Sequence, residues 1–158
     1  MSIKIPCTLI PVKRFNLVLP NSAVAEVISR KEINQEKANQ VWLLGTIEWQ
    51  NDKIPVIEFD KIDEADQESE YTKYTIIIVR NCLPGNENNN RIEHFGILAK
   101  SMPQVIEANA HSIGKELHPQ ISHSQAKSYL TFHGKAALIP DIESIVRLIY
   151  QQSDFISD

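Results

Sequence analysis

Between Leu43 and Phe59 the chain reads LLGTIEWQNDKIPVIEF, two arms apolar at nearly every position on either side of Gln50, Asn51 and Asp52. A strand with one wet face alternates apolar and polar residues, whereas a strand buried on both faces shows an almost unbroken apolar run. Asn and Asp tolerate positive φ and hydrogen-bond to their own backbone, so the polar triplet is read as a hairpin turn. The hairpin is therefore expected between two layers. Trp49, just before the turn, fits equally a core position and an exposed aromatic anchor.

The rest of the chain is built from similar short runs. CTLIPVKRFNLVL, Cys7 to Leu19, suggests two strands joined by a bend, because Pro11 removes a ladder donor. AVAEVI, Ala23 to Ile28, fits a helical turn capped by Ser22 or a strand alternating at Val24, Glu26 and Ile28. Ser29 to Gln40 is polar and reads as an exposed connection, with Ile33 as its apolar exception. Lys61 to Lys73 is acidic and reads as a solvated loop between two halves of the chain. YTIIIVR, Tyr74 to Arg80, is a β-branched run and the clearest strand. HFGILAK, His94 to Lys100, pairs with it beyond the turn-forming tip Pro84 to Asn90, and Gly96 marks a close approach or a bulge. MPQVIEA, Met102 to Ala108, is a further strand, and SYLTFHGKAALIP, Ser128 to Pro140, is a hairpin turning near His133 and Gly134. In DIESIVRLIYQ, Ile142, Ile145, Val146 and Ile149 recur at helical spacing behind Asp141, a natural N-cap. The sum is eight to ten short strands in two clusters about the Lys61 to Lys73 loop, with one helix at the end, a pattern that small closed barrels in tandem explain.

Composition narrows the functional classes. A hydrophobic fraction of 42% and a charged fraction of 23% are those of a folded domain, and 158 residues make one ordinary domain or two very small ones. A net charge of −4 lacks the basic stripe that phosphate backbones demand, so nucleic acid is not an expected partner. Cys7 and Cys82 match no metal or redox spacing and read as reduced thiols, which favours a cytoplasmic location. No apolar run is long enough to insert into a bilayer.

Chemistry finds little purchase. His118 and His123 are separated by Pro119 and Ser122 in an irregular stretch, so no helical face presents both rings to a metal. Asp60, Asp63, Glu64 and Asp66 lack the alternation and turn glycine of a calcium loop. No phosphate-cradling glycine loop, nucleophile elbow or His-Glu-x-x-His occurs. Neither an enzyme nor a cofactor is expected.

The order of elements resembles the CheW-like domain, the coupling module of bacterial chemosensory arrays, over roughly Cys7 to Gln151. FNLVLPNSAVAEVI is similar to the family's entry strand and its Val-x-Glu-hydrophobic element, here Val24-Ala25-Glu26-Val27. LLGTIEWQNDKIPVIEF is similar, without a gap, to its Gly-Val-Ile-Asn-Leu-Arg-Gly-x-x-x-Pro-Val-Ile-Asp-Leu signature. TIIIVR with FGILAKSMPQVIEA, and YLTFHGKAALIPDIESIV, resemble the paired strands and closing helix of the second half. The chain departs from the family at the hairpin tip, where Gln50-Asn51 replaces Arg-Gly, and at Ala99-Lys100, where Val-Asp is usual. With Trp49 before the turn, this resembles the ChpC-type branch linked to type IV pili and twitching motility.

The resemblance implies an all-β fold with minor α content: two small five-stranded SH3-like barrels packed together, with a short C-terminal helix, as a single domain of two intertwined subdomains over residues 5–152. It implies a non-enzymatic scaffold that joins the cytoplasmic tip of a methyl-accepting chemoreceptor to the regulatory domain of a CheA-type histidine kinase. By carry-over it assigns receptor binding to Val24, Glu26, Gly45, Gln50 and Ile76, and kinase binding to Ile33 and Val27. On strand statistics alone Val24, Val27 and Ile76 read as core. A tandem-barrel interaction module outside chemosensing, and a small enzyme with a dispersed site, are the rival readings.

Overall fold

The computed structural model describes residues 4–29, 32–35, 40–63, 75–81, 92–109, 113–115, 121–132 and 134–152. Its strands are β1 (Ile5–Pro11), β2 (Asn16–Pro20), β3 (Val24–Ser29), β4 (Leu43–Trp49), β5 (Asp52–Ile57), β6 (Thr75–Arg80), β7 (His94–Ala99), β8 (Gln104–Ala108), β9 (Ile113–Lys115), β10 (Ala126–Phe132) and β11 (Lys135–Pro140), followed by helix α1 (Ile142–Tyr150). One sheet runs β8-β1-β2-β11-β10-β9 and the other β3-β6-β7-β5-β4. The expected pair of five-stranded units is present, with the three-residue β9 added at the edge of the first.

The division between sheets does not fall where sequence order suggests. The stretch from Lys61 to Lys73 joins β5 to β6 inside one sheet, while β1 and β2 pair with β8 and β11 from the far end of the chain. The β3–β7 sheet is thus an insertion between β2 and β8. The open reading at Ala23 to Ile28 resolves into a 3-10 turn, Asn21–Ala23, followed by strand. The strand prevails because Glu26, Val27 and Ile28 lie opposite Ile78, Ile77 and Ile76 of β6.

Strand periodicity sorts the apolar residues into separate cores. In β6, Ile77 and Val79 face one cluster while Ile76 and Ile78 face another; in β7, Phe95, Ile97 and Ala99 join the first and Leu98 the second. The first cluster lies between the sheets and includes Ile10, Leu17 and Leu19 from β1 and β2, Leu138 from β11, and Ile145, Val146 and Ile149 from α1. The second fills the β3–β7 sheet with Ile47, Ile54 and Val56, and a smaller third fills the other sheet with Cys7, Val18, Ala108, Leu130 and Ala137. At its open end the Leu43–Phe59 hairpin meets a core on each face, Leu43, Ile57 and Phe59 on the first and Ile47, Ile54 and Val56 on the second, while nearer the tip Glu48 and Lys53 are exposed.

Both sheets curl because the outermost strands of each are consecutive in the chain. In the β3–β7 sheet the segment after β3 swings round to β4, where the Asn34 N–H donates to the Thr46 carbonyl at 2.7 Å and the Thr46 N–H returns to Asn34 at 2.8 Å. In the other sheet β8 and β9 hold opposite edges. Six flat strands would set those edges roughly 24 Å apart. Five residue steps from Ala108 to Ile113 reach at most roughly 18 Å, so a flat sheet is impossible. Helix α1 then seals the main core, its first turn capped by the Asp141 carboxylate, which accepts the Ser144 N–H at 3.1 Å.

Candidate interaction surface

Gly45 sits where the barrel of β3–β7 closes. Its φ of +143° lies outside the range of ordinary L-residues, and a β-carbon there would collide with the Asn34 carbonyl and stand 3.0 Å from the Ile33 side chain. The absence of a side chain is what lets the Ile33–Asn34 segment cross β4. Beside the crossing lies a groove of about 490 Å3, lined by Glu32, Ile33, Asn34, Thr46, Ile47, Glu48 and Lys53. Ile33 is half-buried and packs on the second core, while Glu48 and Lys53 face each other across β4 and β5 on the exposed side.

The hairpin ends in a two-residue loop. Trp49 pairs with Asp52, and Gln50 and Asn51 carry φ values of 48° and 64°. Two successive left-handed residues make the mirror-image type I turn, whose twist matches that of the flanking strands. Asp52, expected in the turn, instead begins β5, and its carboxylate accepts the N–H of Lys53 at 2.9 Å.

Trp49 is neither fully core nor fully exposed. Half-buried, it packs on the second core, and its indole N–H donates to the exposed Glu26 carboxylate at 3.2 Å. Its ring lies 4.7 Å from that of His94, tilted by 56°. Because Glu26 is on β3 and Trp49 on β4, this bond ties the two edge strands a second time, away from the Asn34–Thr46 bridge.

A buried polar cluster lies between the sheets. After β5 a 3-10 turn, Phe59–Ile62, presents its groups to the other sheet. His123, just ahead of β10, stacks on Phe59 with centroids 4.0 Å apart, and its Nε2 lies 2.8 Å from the Phe59 carbonyl. Its Nδ1 accepts the Gln125 N–H at 3.0 Å, which fixes the Nε2–H tautomer. Asp60 accepts the Lys13 N–H at 2.7 Å, with Arg14 Nε 3.7 Å away. Burial pushes the Asp60 carboxyl above the ordinary range, against the pull of Lys13 and Arg14. Burial also acts to raise Asp63, but the hydroxyl and N–H of Ser124 both donate to it and bring it below the ordinary range. The solvated acidic loop expected from Lys61 onward begins with a buried residue: Lys61 is 8% exposed and pairs with the enclosed Glu58 at 3.7 Å, while Asp63 is exposed. Glu64, Asp66, His111 and His118 lie outside the described residues.

A model of the CheW-like domain matches residues 7–149. The chain belongs to the CheW-like domain family. Scaffolding protein TtCheW from Thermoanaerobacter tengcongensis has a similar structure, with a TM-score of 0.68 at 17% identity over 87% of this chain and 89% of that one. Among curated protein sequences none matches this chain. The all-β architecture of two SH3-like subdomains with a short C-terminal helix is that of the CheW fold.

In this CheW-like domain the carried-over residues do not separate into two patches. Gly45 and Ile33, assigned to different partners, are in contact. Val24 and Val27, also assigned to different partners, both pack against the main core, half-buried. Glu26 and Gln50 are exposed, Glu26 beneath Trp49 and Gln50 at the hairpin tip. Ile76, assigned to the receptor groove, has no exposed surface and stands 2.7 Å from where a β-carbon on Gly96 would lie. It packs in the second core, as strand statistics alone led one to expect. Sequence reasoning missed Thr46, Glu48 and Lys53 on the groove and His94 beside Trp49. Glu48 and Lys53 were findable as charged interruptions of apolar arms. His94 was not, since its neighbour lies on a different strand.

Proposed function

We propose that this CheW-like domain is a non-enzymatic chemosensory scaffold, holding the regulatory domain of a CheA-type kinase against the cytoplasmic tip of a chemoreceptor. The system we assign it to controls type IV pili and twitching motility. The family match over residues 7–149 carries the reading, and the groove at the Ile33–Gly45 crossing supplies a surface for it. Such a module works by holding partners in one arrangement, so that a shift in receptor packing biases the kinase between its states. Apolar Ile33, rimmed by Glu32, Glu48 and Lys53, has the make-up of an interface anchor, an apolar centre inside a polar rim.

The test is co-elution of the purified protein with a CheA-type regulatory domain and with a receptor-tip fragment. Ile33→Asp is expected to abolish kinase binding. Because Ile33 also touches the second core, Lys53→Glu on the exposed rim is measured beside it, with thermal melts of both. Undiminished binding by both folded variants removes the groove from the interface, and turnover of a small substrate by the wild type removes the scaffold reading.

A further inference from the structure

The His123 side chain has no exposed surface, and its two nitrogens face different barrels. Nε2 is held by the Phe59 carbonyl of the inserted barrel, and Nδ1 by the Gln125 N–H of its own. Phe59 stacks on the ring and Phe15 meets it edge-on with centroids 6.1 Å apart, so the ring is clamped. Charged groups surround it from each neighbouring element. Lys13 and Arg14 on the bend between β1 and β2 act on Asp60 of the 3-10 turn; Glu58 and Lys61 at that turn pair with each other; Asp63 follows the turn. From β10 only the Tyr129 hydroxyl bonds His123, through its backbone. Among these carboxylates Asp63 is the one at the ring. Its Oδ2 is held by the Ser124 N–H at 2.6 Å, stands 3.7 Å from Nδ1, and belongs to a side chain 30% exposed, which gives protons a way in from solvent. The Gln125 carbonyl in turn accepts the Asp141 N–H at 2.7 Å, so the N-cap of α1 is tied to the residue that Nδ1 holds.

We propose that His123 is a proton-operated switch between the two barrels, in which Nδ1 gives up the Gln125 N–H and donates instead to the Asp63 carboxylate. Neutral imidazole accepts at one nitrogen, whereas imidazolium carries a proton on both and accepts nothing. One proton from solvent therefore turns the acceptor facing Gln125 into a donor, and the Gln125 N–H must withdraw or stay unpaired in a buried place. Among the described residues Asp63 is the carboxylate within reach of the new donor, and a carboxylate beside imidazolium favours the charged form. Nε2 keeps its proton, and with it the bond to Phe59, in both states. A bond within one barrel is thus exchanged for an ion pair between the two, at the residue that positions the start of α1. The switch goes beyond the scaffold reading, and its test needs no partner.

Long-range 1H–15N spectra of the imidazole rings are recorded on the full-length protein from about pH 8 to pH 5, with the His123 ring assigned through its contacts with Phe59 and Phe15. Amide hydrogen exchange is followed over the same range. Nδ1 is expected to pass from unprotonated to protonated while Nε2 stays protonated throughout. Across that transition the Gln125 amide is expected to lose at least about tenfold in protection, with the Asp141 amide following it. Asp63→Asn keeps an acceptor for Ser124 and removes the charge, and in this variant the ring is expected to take up its proton at lower pH. A ring that stays neutral down to pH 5 in the wild type, or a Gln125 amide equally protected on both sides of the transition, overturns the switch whether or not the variant folds. A transition left in place by folded Asp63→Asn overturns it as well.

Discussion

The carbonyl of Asn34 fills the space that a side chain on Gly45 would need. One glycine thereby governs both the closure of the β3–β7 barrel and the position of Ile33. Gly45→Ala is expected to destabilise the fold by about 2–5 kcal/mol, through strained backbone together with displacement of the Asn34 segment. Chemical denaturation measures the loss. Hydrogen exchange locates it, with the amides of Asn34 and Thr46 losing protection first. An unchanged midpoint would mean that the segment closes the barrel some other way.

Gln50 and Asn51 both occupy left-handed conformations, which cost a residue such as Gln about 1–2 kcal/mol. Asn tolerates that region and Gly enters it freely, so the double variant Gln50→Asn, Asn51→Gly is expected to gain about 1 kcal/mol. A raised denaturation midpoint with an unchanged slope is the readout.

Asp60 and Asp63 give opposite pH dependences. The Asp60 carboxyl is raised, so the folded state binds its proton more tightly than the unfolded chain does, and its contribution to stability declines as pH rises through the raised value. Asp63 is lowered, so its contribution is complete above the ordinary carboxylate range and is lost as pH falls through the folded value. Asp60→Asn keeps an oxygen for the Lys13 N–H while removing the buried charge. Urea melts between about pH 4 and pH 7 are expected to show the variant gaining on the wild type as pH rises. A variant that instead falls behind near neutrality would show that attraction to Arg14 outweighs the cost of burial.

His123→Phe keeps a ring against Phe59 but strips partners from the Phe59 carbonyl and the Gln125 N–H. Each buried backbone group left unpaired costs about 1–3 kcal/mol, so a loss of about 2–5 kcal/mol is expected in denaturant melts. Because Phe59 follows β5 of one sheet and His123 precedes β10 of the other, spin-label distances between the barrels are expected to broaden in the variant. Unchanged distances would confine the role of His123 to stability.

Much of the local structure was legible. The apolar arms announced a hairpin between two layers, and Ile76–Val79 and Ile54–Ile57 are buried without interruption, although Glu48 and Lys53 nearer the tip are exposed. Helix α1 was legible because its spacing and its cap agree, and Ile145, Val146 and Ile149 are the face it buries. Gly96 was read as a close approach or a bulge; the β6–β7 register runs through it unbroken, and Ile76 is what approaches it. The candidate surface was less legible. Ile33 and Gly45 were singled out separately, but their contact depends on a chain crossing that leaves no periodic trace. Ile76 was carried over as a contact residue although its own β-branched neighbours argued for the core.

By itself the sequence determined which face of each strand is apolar, where the chain turns and where its helix begins, since φ preference, side-chain period and capping act within a few residues. The tertiary structure decided which strands share a sheet, so that β1 and β2 join β8 to β11 around an inserted barrel. It also decided that Asp60 and His123 are buried between the sheets and that Trp49 reaches Glu26. The reason is physical: sheets are joined by backbone hydrogen bonds that are alike at every residue. The choice among distant partners therefore falls to packing, here Ile76 against Gly96 and Asn34 across Gly45, which exists only once the chain has folded.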